Sequence, residues 1–165
     1  MDTPPTPRPI DILLVEDNPG DVELTLHTFQ KRLKLNNRIA VARDGAEALD
    51  YLWRRAPYQS APRPDLVLLD LNMPRVSGLE VLEQMKQAPE LAAIPVIVMT
   101  GSDAEADIAR SYALHASCFV TKPLGLDQFV NALTRLANFW LAVVRLPPNP
   151  PDAASHPSPD GPPQA

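Results

Sequence analysis

The chain has one cysteine, Cys118, so no disulfide can form within it. Cys118 lies in an apolar run and reads as a small buried hydrophobe. No long run of Lys or Arg offsets a formal charge of −5, which leaves little electrostatic footprint for nucleic acid. No stretch approaches the roughly 18 uncharged apolar residues that a membrane-spanning helix needs. The first residues lack a basic region followed by an apolar one, so no secretory signal is expected and the chain reads as cytoplasmic.

Proline is abundant and unevenly placed. Pro4, Pro5, Pro7 and Pro9 lie in residues 1–9, and eight more fall between Pro147 and Pro163. These two segments, 1–9 and 147–165, lack the apolar content to fold and are expected to be disordered. One folded domain is expected over 10–146, which is long enough to bury a core. The last segment is too short and too Pro-rich for a second domain, so no attached DNA-binding or catalytic unit is expected.

Four apolar runs each end in a residue able to do chemistry. Ile12-Leu13-Leu14-Val15 closes on Glu16-Asp17, and Leu66-Val67-Leu68-Leu69 on Asp70. Pro95-Val96-Ile97-Val98-Met99 closes on Thr100, and Cys118-Phe119-Val120-Thr121 on Lys122-Pro123. A carboxylate at the end of a buried strand costs free energy unless it is paired, metal-bound or chemically employed.

Between these runs lie helical patterns. Asn18-Pro19 reads as an N-cap with proline at the first helical position, and Val22, Leu26, Phe29 and Leu33 follow at helical spacing. Arg38 to Ala42 reads as a second strand near an edge. Asp44 and Glu47 have capping-box spacing ahead of a helix. Arg55 to Pro64 reads as a Pro-broken loop. Gly78 to Ala88, Asp103 to Leu114 and Leu126 to Val144 complete the helices, the second capped by Ser102 or Asp103. Five strands alternating with five helices predict a (βα)5 doubly wound parallel five-stranded sheet, flavodoxin-like in topology. In such a sheet the carboxyl ends of the strands line one crevice, where ligands bind.

Three carboxylates at one point repel, and a divalent cation relieves that. An all-oxygen site without Cys or His favours Mg2+ or Mn2+ over zinc. Asp70 can then act as a nucleophile towards phosphorus and become an aspartyl phosphate. Lys122 offers a positive charge to one phosphoryl oxygen and Thr100 a hydroxyl to another. The Lys122–Pro123 bond is a candidate cis peptide that would aim the lysine into the crevice. Each residue alone has a structural reading as a turn, cap or solvated side chain. All of them at strand ends, in this order, favour a functional one.

Val15-Glu16-Asp17-Asn18, Asp70-Leu71-Asn72-Met73-Pro74 with Gly78, Thr100-Gly101-Ser102 and Phe119-Val120-Thr121-Lys122-Pro123 together resemble the receiver domain of two-component response regulators over about residues 10–145. The resemblance implies that Asp70 is the phosphoacceptor and a phosphohistidine on a sensor histidine kinase the donor. It implies that Asp17 holds the metal directly, Glu16 through water and Asn72 by its backbone carbonyl. Thr100 and Phe119 would form a switch pair, with Lys122 as the phosphate contact. Many relatives have Asp at the place of Glu16, and many have Tyr where Phe119 stands. A hydroxyl signal from that ring is therefore excluded.

The segments Tyr51-Leu52-Trp53 through Pro64-Asp65, Ser111-Tyr112 with Leu114 to Cys118, and Phe139 to Pro147 look like the small response regulators that partner bacterial phytochromes. Leu126, Phe129, Val130, Leu133, Leu136 and Trp140 suffice to cover the sheet. Phe139, Leu141, Val143 and Val144 then make the end of the last helix apolar all round. With Trp140 they are expected to form a homodimer surface on the fourth-helix, fifth-strand, fifth-helix face.

Three other classes share part of this pattern. A haloacid-dehalogenase-type phosphohydrolase would have a second Asp where Asn72 stands. A non-phosphorylated binding module would not need the intact acid pair, Asp70, Thr100 and Lys122. A phosphate sink has the same sequence features as a relay. The expectation is a single-domain response regulator that is not a metabolic enzyme.

Overall fold

A computed structural model describes residues 9–32 and 37–148. Leu33 and, apart from Pro9, Pro147 and Pro148, both Pro-rich ends lie outside the described residues. Five strands, β1 (Ile10–Val15), β2 (Asn37–Ala42), β3 (Leu66–Leu69), β4 (Val96–Thr100) and β5 (Cys118–Thr121), pair in parallel in the order β2-β1-β3-β4-β5. The helices are α1 (Pro19–His27), α2 (Gly45–Leu52), α3 (Gly78–Gln87), α4 (Glu105–Ala113) and α5 (Leu126–Asn138). α1 and α5 each run on into a wider π-type turn, Thr28–Arg32 and Phe139–Val143.

β1 and β3 are central and almost wholly buried, which is why they read as unbroken apolar runs. Their alternate side chains feed two cores. Leu13, Val15, Val67 and Leu69 pack with Leu49, Leu82 and Met85 beneath α2 and α3. Ile12, Leu14, Leu66 and Leu68 pack with Val22, Phe129 and Leu133 beneath α1 and α5. The chain leaves β1 for β2 on one side and returns to β3 on the other, so the order reverses between β1 and β3. That reversal opens the crevice at the carboxyl ends of these two strands.

Local signals act mostly as read. The Asn18 side chain accepts the Asp21 N–H at 3.1 Å, and Pro19 opens α1. Asp44 accepts the Glu47 N–H at 2.8 Å, but Glu47 reaches back to the N–H of Arg43, one residue before the cap. α4 starts later than expected. Its N-cap is Ala104, whose methyl group cannot accept a bond; the Ser102 hydroxyl donates to Asp107 at 2.7 Å and accepts the Ala104 N–H at 3.4 Å, ahead of the helix. Lys122–Pro123 is not cis; among the described residues the cis peptide is Ala56–Pro57. A trans X–Pro bond is the ordinary case, and the Lys122 N–H is held by the Thr100 carbonyl at 2.7 Å.

The last helix needs two corrections. Leu126 does not cover the sheet; it is exposed at the first turn of α5. Leu141 does not belong to an outward apolar surface, because it is buried in the core beneath α1 and α5. The π-type turn adds residues per turn and so rotates Leu141 inward. Phe139 and Val143 remain exposed, and Trp140 and Val144 are partly buried. Phe139 meets Trp140 edge to face, with ring centroids 6.0 Å apart.

Candidate functional site

Four strand ends meet at the crevice. β1 delivers Glu16 and Asp17, β3 Asp70, β4 Thr100 and β5 Lys122. The backbone fixes their relative heights. The Asp70 N–H bonds to the Val15 carbonyl and the Glu16 N–H to the Ala42 carbonyl, both at 3.0 Å. Glu16, Asp70 and Thr100 are buried, while Asp17 is exposed at the mouth.

Carboxylate oxygens of Glu16, Asp17 and Asp70 all lie within 4.8 Å of one another. Among the described residues no Cys or His joins them. This small, acidic, all-oxygen donor set fits Mg2+ or Mn2+.

Lys122 lies against the inner wall of this group. Its ammonium bonds Glu16, donates to Asp21 at 2.9 Å and stands 3.5 Å from Asp70 Oδ2. Burial disfavours its charge, but the bonds to Glu16 and Asp21 and the Asp70 charge outweigh that and raise its pKa. Glu16 is pushed up to about 7. Burial is the main cause and the Asp70 charge adds to it, against the hydrogen bond from Lys122.

Asn72 acts here through its side chain as well as its backbone. Its N–H donates to Asp70 Oδ1 at 3.3 Å, and its amide donates to the Thr100 hydroxyl oxygen at 3.2 Å. Thr100, fully buried, is thereby tied to the residue two beyond Asp70. Phe119 is partly buried against the core beneath α2 and α3. Its backbone N–H donates to the Tyr112 hydroxyl of α4 at 3.2 Å.

The sequence-predicted residues Glu16, Asp17, Asp70, Thr100 and Lys122 therefore converge, with Asn72 at the rim. Phe119 lies on β5, three residues before Lys122, with its side chain against the core beneath α2 and α3. Phe139, Trp140, Val143 and Val144 lie apart, at the far end of α5. Sequence reasoning missed Asp21. Its only signal was an acid in the first turn of α1, which also has an ordinary helix-dipole explanation.

The arrangement joins a carboxylate, an acidic cation pocket, a hydroxyl and an ammonium. It suits the capture of a phosphoryl group by Asp70.

The family model of the response regulator receiver domain matches residues 12–134. Response regulator Rcp1 of Synechocystis sp. is 40% identical over 136 residues, 82% of this chain and 92% of that protein. The Mn2+-bound form of Rcp1 has a similar structure, with TM-score 0.83 at 39% identity over 85% of this chain and 100% of that one. The phosphorylated cyanobacterial phytochrome response regulator RcpA gives TM-score 0.83 at 40% identity, covering 86% of this chain and 100% of that one. The bacteriophytochrome response regulator AtBRR is 48% identical with TM-score 0.65, covering 81% and 96%.

Proposed function

The chain belongs to the response regulator receiver domain family, and from that premise we propose that Asp70 accepts a phosphoryl group from a sensor histidine kinase. An Asp70 carboxylate oxygen forms the new P–O bond as the donor's P–N bond breaks. The electron pair of that bond returns to the imidazole nitrogen. The observation that carries this reading is the convergence of Asp70 with Glu16, Asp17, Thr100 and Lys122 at the strand ends, Lys122 standing 3.5 Å from Asp70.

Asp17 and Asp70 would hold Mg2+ or Mn2+ directly, Glu16 through water, and Asn72 by its carbonyl. The bound cation supplies charge neutralisation at the phosphoryl oxygens. Lys122 pairs with one phosphoryl oxygen, and Thr100 turns its hydroxyl from the Asn72 amide towards another. The space Thr100 leaves is open to Phe119, whose strand is tied to α4 through Tyr112. Phosphorylation thus biases the α4–β5 surface between two arrangements.

The kinase partner is a bacterial phytochrome. Likeness to RcpA and AtBRR supports this. The output is a homodimer or partner surface on the α4–β5–α5 face. Exposed Tyr112 on α4 and exposed Phe139 and Val143 beyond α5 support it, with Trp140 and Val144 beside them. Covalent change is limited to the receiver's own phosphotransfer and autodephosphorylation. Among the described residues no helix is long and apolar enough to cross a membrane.

Acetyl phosphate with Mg2+, read on a phosphate-retarding gel and by sedimentation, tests the reading. A retarded band that needs both Asp70 and Mg2+ supports it, and a coincident change in mass identifies dimerisation as the output. Folded protein without a band favours a non-phosphorylated binding module. A partner that binds only the phosphorylated form separates a relay from a phosphate sink.

A further inference from the structure

We propose that Asp21 is a positioning residue for phosphoryl transfer, the anchor that keeps the Lys122 ammonium aimed at Asp70. This rests on the proposed function above. Lys122 has three N–H donors and little access to water, its side chain being 13% exposed. Glu16 and Asp21 take two of them, and Asp70 stands just beyond hydrogen-bond reach.

The two anchors differ in their other obligations. Glu16 is fully employed: one carboxylate oxygen accepts the Asn18 N–H at 3.1 Å and the other accepts Lys122. It also belongs to the Glu16–Asp17–Asp70 group, so any service to a cation competes with its bond to Lys122. Asp21 lies outside that group, and among the described residues its carboxylate serves Lys122. Its backbone is pinned on both sides, the N–H by Asn18 at 3.1 Å and the carbonyl by the Thr25 hydroxyl at 2.7 Å. Its backbone is therefore held in place on α1, and from there its carboxylate accepts Lys122 at 2.9 Å. Without it, the remaining ion-pair partner of a lysine released by Glu16, among the described residues, is Asp70. It would then form an ion pair with the nucleophile instead of meeting the incoming phosphoryl oxygen.

A helix N-terminal acid acting only on the dipole would affect stability and nothing else. The test separates the two roles. Wild type, Asp21→Asn, Asp21→Ser, Asp21→Glu, Lys122→Ala and the Asp21→Asn/Lys122→Ala double variant are phosphorylated with acetyl phosphate at saturating Mg2+. Asp70 attacks phosphorus and acetate leaves with the electron pair of the broken P–O bond. The Asp21→Asn rate should fall about tenfold, in line with the weaker hold of a neutral amide oxygen than of a carboxylate on an ammonium. Asp21→Glu should recover most of it, and Asp21→Asn should add nothing once Lys122 is absent. Asp21→Ser repeats the test where the Asn variant folds poorly, with thermal melts run on every variant. If wild type takes up no phosphoryl group, the proposed function falls and this inference with it. If wild type is phosphorylated and folded Asp21→Asn matches it within about twofold, or slows Lys122→Ala as much as wild type, the positioning role alone is overturned.

Discussion

Gly78 sits so close to Asp70 that a Cβ on it would stand 2.9 Å from the Asp70 carbonyl carbon and closer still to the oxygen. The first residue of α3 thus packs directly on the backbone of the proposed phosphoacceptor. Gly78→Ala must push β3 and α3 apart. The expected loss is roughly 2–3 kcal/mol, as for overpacking of a close-packed interior. Urea unfolding checks it. A midpoint equal to wild type would mean that this contact yields freely.

Lys122→Ala should bind Mg2+ more tightly while accepting phosphoryl groups more slowly. The ammonium repels a cation held by Glu16, Asp17 and Asp70, and its loss removes that repulsion. A gain of roughly tenfold in affinity is expected for a charge this close at the effective dielectric of a protein site. Calorimetric titration with Mg2+ measures it, and unchanged or weaker binding would contradict the proposed metal pocket.

Glu16 makes the cation-free protein pH-sensitive. Its pKa rises from 4.5 to about 7 on folding, chiefly by burial, so the folded state holds a proton that the unfolded state has lost. The contribution to stability is present below about pH 4.5 and disappears as pH rises through about 7. With EDTA present, wild type should lose on the order of 1 kcal/mol or more between pH 5 and pH 8 relative to Glu16→Gln. Parallel urea midpoints across that range would refute the assignment.

Neighbouring residues at the end of α5 should behave oppositely. Leu141→Ala opens a cavity in the core beneath α1 and α5 and should cost about 2–4 kcal/mol. Val143→Glu alters a side chain that is 69% exposed and should leave stability within about 0.5 kcal/mol. On the proposed dimer surface, the same Val143→Glu should weaken self-association at least tenfold in a sedimentation concentration series. Self-association that survives this charge would remove that surface from the proposal.

Much of the site was legible because it is built from local patterns. A buried parallel strand needs an unbroken apolar run, and the residue that ends the run is its carboxyl end. Asp70 after Leu66–Leu69 and Thr100 after Val96–Met99 could therefore be placed from neighbours along the chain. Asn18-Pro19 and Asp44 marked helix starts for the same reason, since a cap bonds a backbone amide only a few residues away. The start of α4 lies beyond the expected one because the Ser102 oxygen accepts the N–H of Ala104, ahead of the helix, while its proton goes to Asp107.

Other features depended on residues far apart in sequence. Lys122 meets Glu16 across 106 positions and Asp21 across 101, and no periodicity reports such a meeting. The Asn72 amide reaches Thr100 only because β3 and β4 pair in one register. Leu141 faces inward and Phe139 outward because a π-type turn shifts the helical phase at Asn138, which an apolar stretch on every side could not disclose. The sequence by itself determined which groups stand at the strand ends, because backbone geometry and burial act over a few residues. Only the tertiary structure decided which of those groups hold one another, because charge and hydrogen bonding act through space.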